Sequence, residues 1–467
     1  MKPPALILFG GILTLSACTV GPNFTLPDVS PGSTWKQSVS TRSASLPDTW
    51  WRLFDDAELN RLVDRALASN NDLAAAKSRV DTARALVGVD RAKFFPTLDF
   101  SGSGGISRQS SDSIGANLPP GVSAPLEQQR YRGTFDLAYD FDLWGRNQRA
   151  VEASSSRASA QEALLDSQRL GIAAEVTRQY FLLRGLDAQH AVLLKTRITR
   201  QESLKLQKSR TDAGLADSLE MKRAQTQLEL VDNNLANIER QRGSSEHALA
   251  VLCGTSPSAF DISPRVSKNS LPTIRPGLPA DVLNRRPDVR AAQQELRAAN
   301  AEIGIAEAAF YPNFSLTTSA GFESLDIARF LDLQNRVLSL GANVAAPILD
   351  GGANKANYKA ARSRYEEALA KYKQTLLIAL REVEDSLVDL KGLSKSSTAL
   401  THAYASSQDT LKLSQERHQK GLTSYFEVVD AEREALQIQL SLAEVEAQQR
   451  ISLTSLAQAL GGGWAKK

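Results

Sequence analysis

The chain has 467 residues, 42% of them hydrophobic, enough to bury more than one ordinary domain. Its 55 lysines and arginines against 52 aspartates and glutamates leave a net charge of +3, nearly balanced, so no basic face advertises nucleic acid. Aromatic residues are only 6%, while alanine, leucine, serine and glutamine abound, a composition suited to long helices in close contact.

Residues 1–17 read as a secretion signal: Lys2, an apolar run over 5–15, then Leu15-Ser16-Ala17 before Cys18. The run is too short to span a bilayer as a helix. Leu-Ser-Ala-Cys resembles the bacterial lipobox, which implies that Cys18 takes a diacylglyceryl group and becomes an N-acylated new terminus. Several acyl chains, at roughly 0.8 kcal/mol per buried methylene, would anchor the chain firmly. A plain signal peptide followed by a chance cysteine is the alternative. Thr19 rather than an aspartate follows, which by the same resemblance favours the outer membrane. An anchored segment, 18–55, leads into the body, and Cys253 is left without a disulfide partner.

From 56 to 92 the pattern is helical, with Leu59, Leu62, Val63, Ala66 and Leu67 at three- and four-residue steps. Pro96 then marks a switch into extended chain. Over 131–143 the period becomes two: Tyr131, Gly133, Phe135, Leu137, Tyr139, Phe141 and Leu143 alternate with Arg132, Thr134, Asp136, Ala138, Asp140 and Asp142. A Gly/Ser/Pro-rich stretch, 102–129, reads as the loop joining this strand to one beginning at Leu98 and Phe100. Next comes a proline-free helical stretch, 147–211, on the order of 100 Å long at about 1.5 Å per residue. Gly214-Leu215 closes it, with glycine in the left-handed position, and a second helix over 217–252 returns.

The second half then repeats the first. Gly214-Leu215 recurs as Gly421-Leu422, a shift of 207 residues (421 less 214), and Gly145 recurs as Gly352. Pro96 recurs as Pro312 at a shift of 216, so the first copy holds nine extra residues between Pro96 and Gly145. A copy this long is no short-period solenoid. The first copy occupies 56–260, with a helix, a β-hairpin over 95–143 and a helical hairpin over 146–252. The second occupies 261–467, with a helix, a β-hairpin over 312–349 and a helical hairpin over 353–460. Strands with one greasy face fit either a lipid-facing barrel wall or a soluble sandwich. Two hairpins give four strands, too few to close a barrel. If they meet lipid, several chains must share one barrel, because an open edge is not tolerated in hydrocarbon. The helices alone would equally fit soluble antiparallel coiled coils.

Several stretches together resemble the outer-membrane factors of tripartite exporters, the TolC family, in its lipoprotein branch. They are Cys18 with Val20-Gly21-Pro22-Asn23-Phe24, Trp50-Trp51-Arg52-Leu53-Phe54-Asp55, Leu283-Asn284-Arg285-Arg286-Pro287-Asp288, Phe310-Tyr311-Pro312 and the two Gly-Leu turns. The resemblance implies a mainly α membrane protein with β structure: a homotrimeric, twelve-stranded outer-membrane β-barrel continuous with a periplasmic α-helical barrel. It further implies a passive exit duct, lipid-anchored in the bacterial outer membrane, working with a periplasmic adaptor protein and an inner-membrane pump. No Gly-x-x-x-x-Gly-Lys-Ser/Thr string is present, so energy must come from such a pump.

The tip turns, Gly214-Leu215 and Gly421-Leu422, are the expected adaptor contacts. The acids beside them, Asp217, Glu220, Glu427 and Asp430, are the expected periplasmic pore gate; Glu427 and Asp430 share a helix face and would form rings about a threefold axis. A solvated acidic face at a helix start is the plainer alternative. Relatives that close with an aromatic–arginine latch align it here with His418 and Thr423, and Arg417, Lys420 and Tyr425 are nearby substitutes. Arg285-Arg286-Pro287-Asp288 reads as structural, with proline in the first helical turn and Asp288 near the positive dipole end. His190, His247, His402 and His418 are scattered, so no metal or cofactor is expected and no enzyme. Asp140 and Asp142 read as lining a wet barrel interior. The competing function is a non-channel, coiled-coil scaffolding lipoprotein of the cell envelope.

Overall fold

The computed structural model describes residues 19–29, 32, 34–37, 46–108, 110, 127–267 and 269–463, with the backbone alone at 281 and 284. Cys18 and Pro119-Pro120 lie outside the described residues. In chain order come α1 (Ala57–Ser69), α2 (Asn71–Ala92), β1 (Thr97–Arg108), β2 (Glu127–Phe141), α3 (Arg146–Asp212) and α4 (Ser218–Leu252). They are followed by α5 (Pro279–Arg285), α6 (Pro287–Ala308), β3 (Asn313–Ser324), β4 (Arg336–Ala345), α7 (Ala353–Gln419) and α8 (Tyr425–Ala459). Helices α3 and α7 are each 67 residues long, and α4 and α8 each 35.

The helical pattern over 56–92 resolves into two helices, because Asn70 leaves helical geometry (φ −70°, ψ 128°). Its Oδ1 accepts from the amides of Asp72 and Leu73 at 2.9 and 3.2 Å, capping α2. Arg286 makes the equivalent break (ψ 125°) ahead of Pro287, whose ring disfavours helix in the residue before it.

The chain forms two compact units. One comprises residues up to 27 with 81–159 and 293–370; the other comprises 28–80, 160–292 and 371–467. The first holds an antiparallel sheet in the order β1-β2-β3-β4. Its register pairs Phe100 with Phe135, Phe135 with Ala320 and Ala320 with Leu338, which puts the apolar positions on one face. Asp99, Asp136, Ser319 and Ser339 pair in the same way on the other.

Two sequence expectations need correction here. The strands run well into the stretch assigned to a loop, β1 reaching Arg108 and β2 starting at Glu127. Glycine is tolerated there because an aromatic covers it: a Cβ on Gly104 would lie 3.1 Å from the Tyr131 ring. At the other end β2 stops at Phe141, so Asp142 does not line the polar face. Its carboxylate accepts from the Gln148 amide at 2.9 Å, satisfying a free N–H in the first turn of α3.

The second unit is built on a core of Trp50, Trp51, Phe54, Leu59, Leu62, Tyr180, Phe181 and Leu249. The Trp-Trp-Arg-Leu-Phe stretch is thus a wedge of packing, with Phe54 and Phe181 ring centres 4.7 Å apart. Buried charges sit beside it, each paired with an opposite charge. Asp56 accepts from Tyr180 at 2.8 Å and Arg265 at 2.5 Å, while Asp187 accepts from Arg184 at 2.7 Å and Arg242 at 2.9 Å. Arg286 donates to both oxygens of Asp288 (3.0 and 2.6 Å), to Glu382 (2.7 Å) and to the Ala459 carbonyl (3.1 Å). It thereby ties the α5–α6 break to α7 and to the end of α8. Replacing Arg286 by alanine leaves the Ala459 carbonyl without this donor and two part-exposed carboxylates to water, and is expected to cost about 1–3 kcal/mol. Arg286→Lys falls between, since an ammonium cannot make the paired bonds. Urea unfolding followed by circular dichroism in detergent checks this, and an alanine variant as stable as the parent contradicts it.

Candidate functional site

The far ends of the long helices are set by two equivalent turns. Gly214 and Gly421 have φ of +70° and +72°, a backbone that side chains other than hydrogen strain to adopt. The amide of Leu215 donates to Arg210 O at 2.8 Å and that of Leu422 to Arg417 O at 2.9 Å, the six-residue closure that ends a helix on a left-handed residue. In such closures the residue after glycine commonly packs back on its helix. Here Leu215 and Leu422 are 73% and 67% exposed instead, so both tips present leucine to whatever lies beyond them.

The four acids follow directly. Asp217 is the N-cap of α4, its carboxylate accepting from Leu219 N at 3.2 Å. Glu220, half-buried in the first turn of α4, lies close enough to Tyr425 to help raise its pKa, though burial of the phenol does more. Glu427 and Asp430 are exposed near the start of α8. Asp430 is not bare charge: Arg433, one turn on, donates to it at 2.5 Å.

The latch positions come together. His418 Nδ1 lies 3.1 Å from the Thr423 carbonyl, and its Nε2 lies 3.5 Å from Arg210 of α3. A carbonyl can only accept, so Nδ1 carries the proton and Nε2 is the lone-pair face turned to the guanidinium. The ring also lies 5.7 Å from that of Tyr425, which is buried with Val428, Val429 and Ala224 of α4. Arg417 and Lys420 remain exposed.

One pair escaped sequence reasoning. Arg200 of α3, 2% exposed, donates to Glu432 of α8, 9% exposed, beside a cavity of about 190 Å³ also lined by Tyr404, Gln408 and Gln415. Burial pushes the Glu432 carboxyl above its usual range, with Arg200 pulling the other way. The signal was present: Glu432 interrupts the apolar stripe of Tyr425, Val428, Val429 and Ala435 at helical spacing. An acid there requires a buried partner.

In the first unit, the residues after the candidate lipidation site are strapped down. Val20 N donates to Trp144 O at 3.1 Å, and Arg149 donates to Val20 O, Gly21 O and Asn23 Oδ1 at 3.2, 3.1 and 3.0 Å. Asn300 donates to Pro22 O at 2.8 Å, and Arg297 covers the Phe24 ring at 5.0 Å. Gly21 crosses α6 so closely that a Cβ would fall 2.4 Å from the Gly304 Cα. Beside this strap, Trp144 stacks on Tyr311 at 4.7 Å and donates to Pro312 O at 2.7 Å, where strands meet helices. Aromatic pairs with a polar tip suit a membrane–water boundary. Among the described residues no group of acids, histidines or cysteines is arranged to hold a metal. The Cys253 thiol is buried, its pKa raised by that burial, and it faces Leu62 O at 3.6 Å, a structural cysteine.

Residues 62–255 and 278–462 match the model of the family described as outer membrane efflux protein. The chain is 33% identical over 459 residues to the outer membrane protein OprJ of Pseudomonas aeruginosa, covering 97% of this chain and 94% of that one. It is 31% identical over 476 residues to the solvent efflux pump outer membrane protein SrpC of Pseudomonas putida, covering 99% of each. The outer-membrane channel OprN superposes with a TM-score of 0.87 at 29% identity, covering 96% of this chain and 100% of that one. On the match across both halves, the chain belongs to the outer membrane efflux protein family.

Proposed function

We infer that three copies of this chain form the exit duct of a tripartite efflux system, conducting small molecules passively from pump and adaptor through the outer membrane. The observation that carries this reading is the sheet. Its four strands, 10 to 15 residues long, are long enough to cross hydrocarbon, which takes about 9–11. One face is apolar, and among the described residues the outer edges of β1 and β4 have no partner. Three such sheets closed edge to edge give a twelve-stranded barrel without edges. The polar face, with Asp99, Asp136 and Asp140, then lines water. No described helix is long and apolar enough to cross a membrane, so the crossing falls to the strands. The efflux named for the relatives SrpC and TtgI supports the same role. The chain is a conduit and catalyses nothing.

In this reading Cys18 carries the acyl anchor, and the Arg149 clamp fixes the residues after it at the membrane boundary. The exposed leucines of the two tips receive the adaptor. Asp217, Glu220, Glu427 and Asp430 ring the periplasmic mouth, and His418 with Arg210 holds it shut.

Four outcomes are expected. The detergent-solubilised protein has the mass of a trimer by light scattering; a monomer overturns the reading. Mass spectrometry of the N-terminal peptide finds Cys18 triacylated, and Cys18→Ala abolishes the modification. In planar bilayers Glu427→Gln with Asp430→Asn lowers cation preference severalfold, roughly as expected for removing six charges from a narrow mouth; unchanged selectivity removes the gate assignment. Arg210→Gln or His418→Phe raises the resting current at neutral pH, and an unaltered closed state removes the latch.

A further inference from the structure

The connection between β3 and β4, residues 325–335, is an ordered loop. Ser324 Oγ donates to Asp326 O at 2.8 Å, the Asp326 carboxylate accepts from Ala328 N at 2.9 Å, and Asn335 Nδ2 donates to Arg329 O at 2.6 Å. Despite this internal order it holds four large apolar side chains outward: Leu325, Ile327, Leu331 and Leu333 are 59–74% exposed. Single exposed leucines need no explanation, but four on one short, ordered loop are more than scattered surface residues.

The loop leans toward a definite side of the sheet. Phe330 lies 6.2 Å from Phe322, and a Cβ on Gly133 would meet its ring at 3.0 Å. Gly133 and Phe322 pair across β2 and β3 and belong to the apolar face, with Phe135, Leu338 and Leu340. The apolar loop therefore continues that face and does not cover the polar one. Its charges are also sorted. Glu323 is held on the polar face by Arg130 and Arg132, at 3.1 and 3.3 Å. Arg336 occupies an apolar-face position opposite Phe322 and has no ion pair among the described residues. Arg329 meets only Asp332, at 3.4 Å with both side chains more than half exposed, a contact of little strength. Asp326 is engaged as a cap and Asp332 stands against Arg329, so among the described residues Arg336 is the cation beside the four apolar residues that has no acid of its own.

We propose that this loop is a lipid clamp: Leu325, Ile327, Leu331 and Leu333 enter the outer leaflet of the membrane, and Arg329 and Arg336 bind phosphates of the phosphorylated glycolipid there. The inference rests on the membrane-barrel reading above. Apolar continuity with the lipid-facing strands selects lipid over the lumen as the loop's surroundings. Guanidinium forks on an ordered frame suit phosphates held rigidly on a sugar, where two contacts can form together. Long arginine stems let the apolar residues sink while the charge stays at headgroup level.

The test uses nitroxide labels at Leu331→Cys, Leu340→Cys and Ser339→Cys in full-length protein reconstituted with lipid A and phosphatidylcholine, unsubstituted protein being the labelling blank. Collision with oxygen reports lipid, and collision with a nickel chelate reports water. The label at 331 is expected to behave like that at 340, in lipid, and unlike that at 339. A label at 340 open to the chelate refutes the barrel reading itself. A label at 340 in lipid with one at 331 reached by the chelate, or shielded from both probes against a second copy, refutes the clamp alone. Arg329→Gln with Arg336→Gln is expected to lower lipid A retained through purification by about fivefold or more, two charge-assisted contacts being lost. Equal retention by the double variant, or retention of phosphatidylglycerol as strong as that of lipid A, overturns the glycolipid assignment.

Discussion

Backbone amides at the edge of a sheet cannot stay unpaired in hydrocarbon, and this one constraint organises the reading of the whole chain. The sheet has an apolar face running from Leu98 and Phe100 through Phe135 and Ala320 to Leu338 and Leu340. Folded over a core of its own helices, such a face would be buried, yet Leu98, Phe100, Leu338 and Leu340 are 65–80% exposed. In the duct reading proposed above, the exposure of that face and the edges of β1 and β4, unpaired among the described residues, share one remedy, lipid outside and further strands beside. The polar face adds its own argument, because Asp99 directly opposite Asp136 is unfavourable unless water screens the pair.

The helical unit solves a different problem. Rods of 67 residues carry small alanine and serine side chains along much of their length, which specify register less sharply than large ones. Register is fixed instead by buried charges with several donors and acceptors each: Asp187 between Arg184 and Arg242, Arg286 among Asp288, Glu382 and Ala459 O, and Arg200 on Glu432. Each pair costs desolvation, so their value lies less in net stability than in allowing one alignment and penalising its neighbours.

Much of this was legible in the sequence because it depends on local rules. Proline-free runs gave the long helices to within one residue at each end, and alternation over 131–143 gave the two faces of β2. Reading failed where distant residues decide. The glycines of 102–108 look like loop until Tyr131 is laid across Gly104. Asp142 continues the alternation by pattern, yet its carboxylate is taken by the first turn of α3. The break at Asn70 has no proline to announce it, whereas its counterpart 216 residues on, at Arg286, has Pro287. The partners of His418 and Glu432 lie more than 200 residues away on α3, beyond any local signal.

The two copies are alike in outline and unlike where it matters most. The turn at Gly214 is followed by Asp217, whose carboxylate caps α4; the turn at Gly421 is followed by Ser424, whose hydroxyl makes no cap bond. His418 corresponds to Thr211, 207 residues earlier, and Thr211 only donates back to Gln207 within its own helix. The first tip is therefore closed by its own residues. At the second, the His418 ring stands between its own turn and the first copy, 3.1 Å from the Thr423 carbonyl and 3.5 Å from Arg210. Duplication supplied two similar hairpins, and these few substitutions give the α7–α8 tip a side-chain contact to the other copy, at His418, where the α3–α4 tip has Thr211 bonded within its own helix.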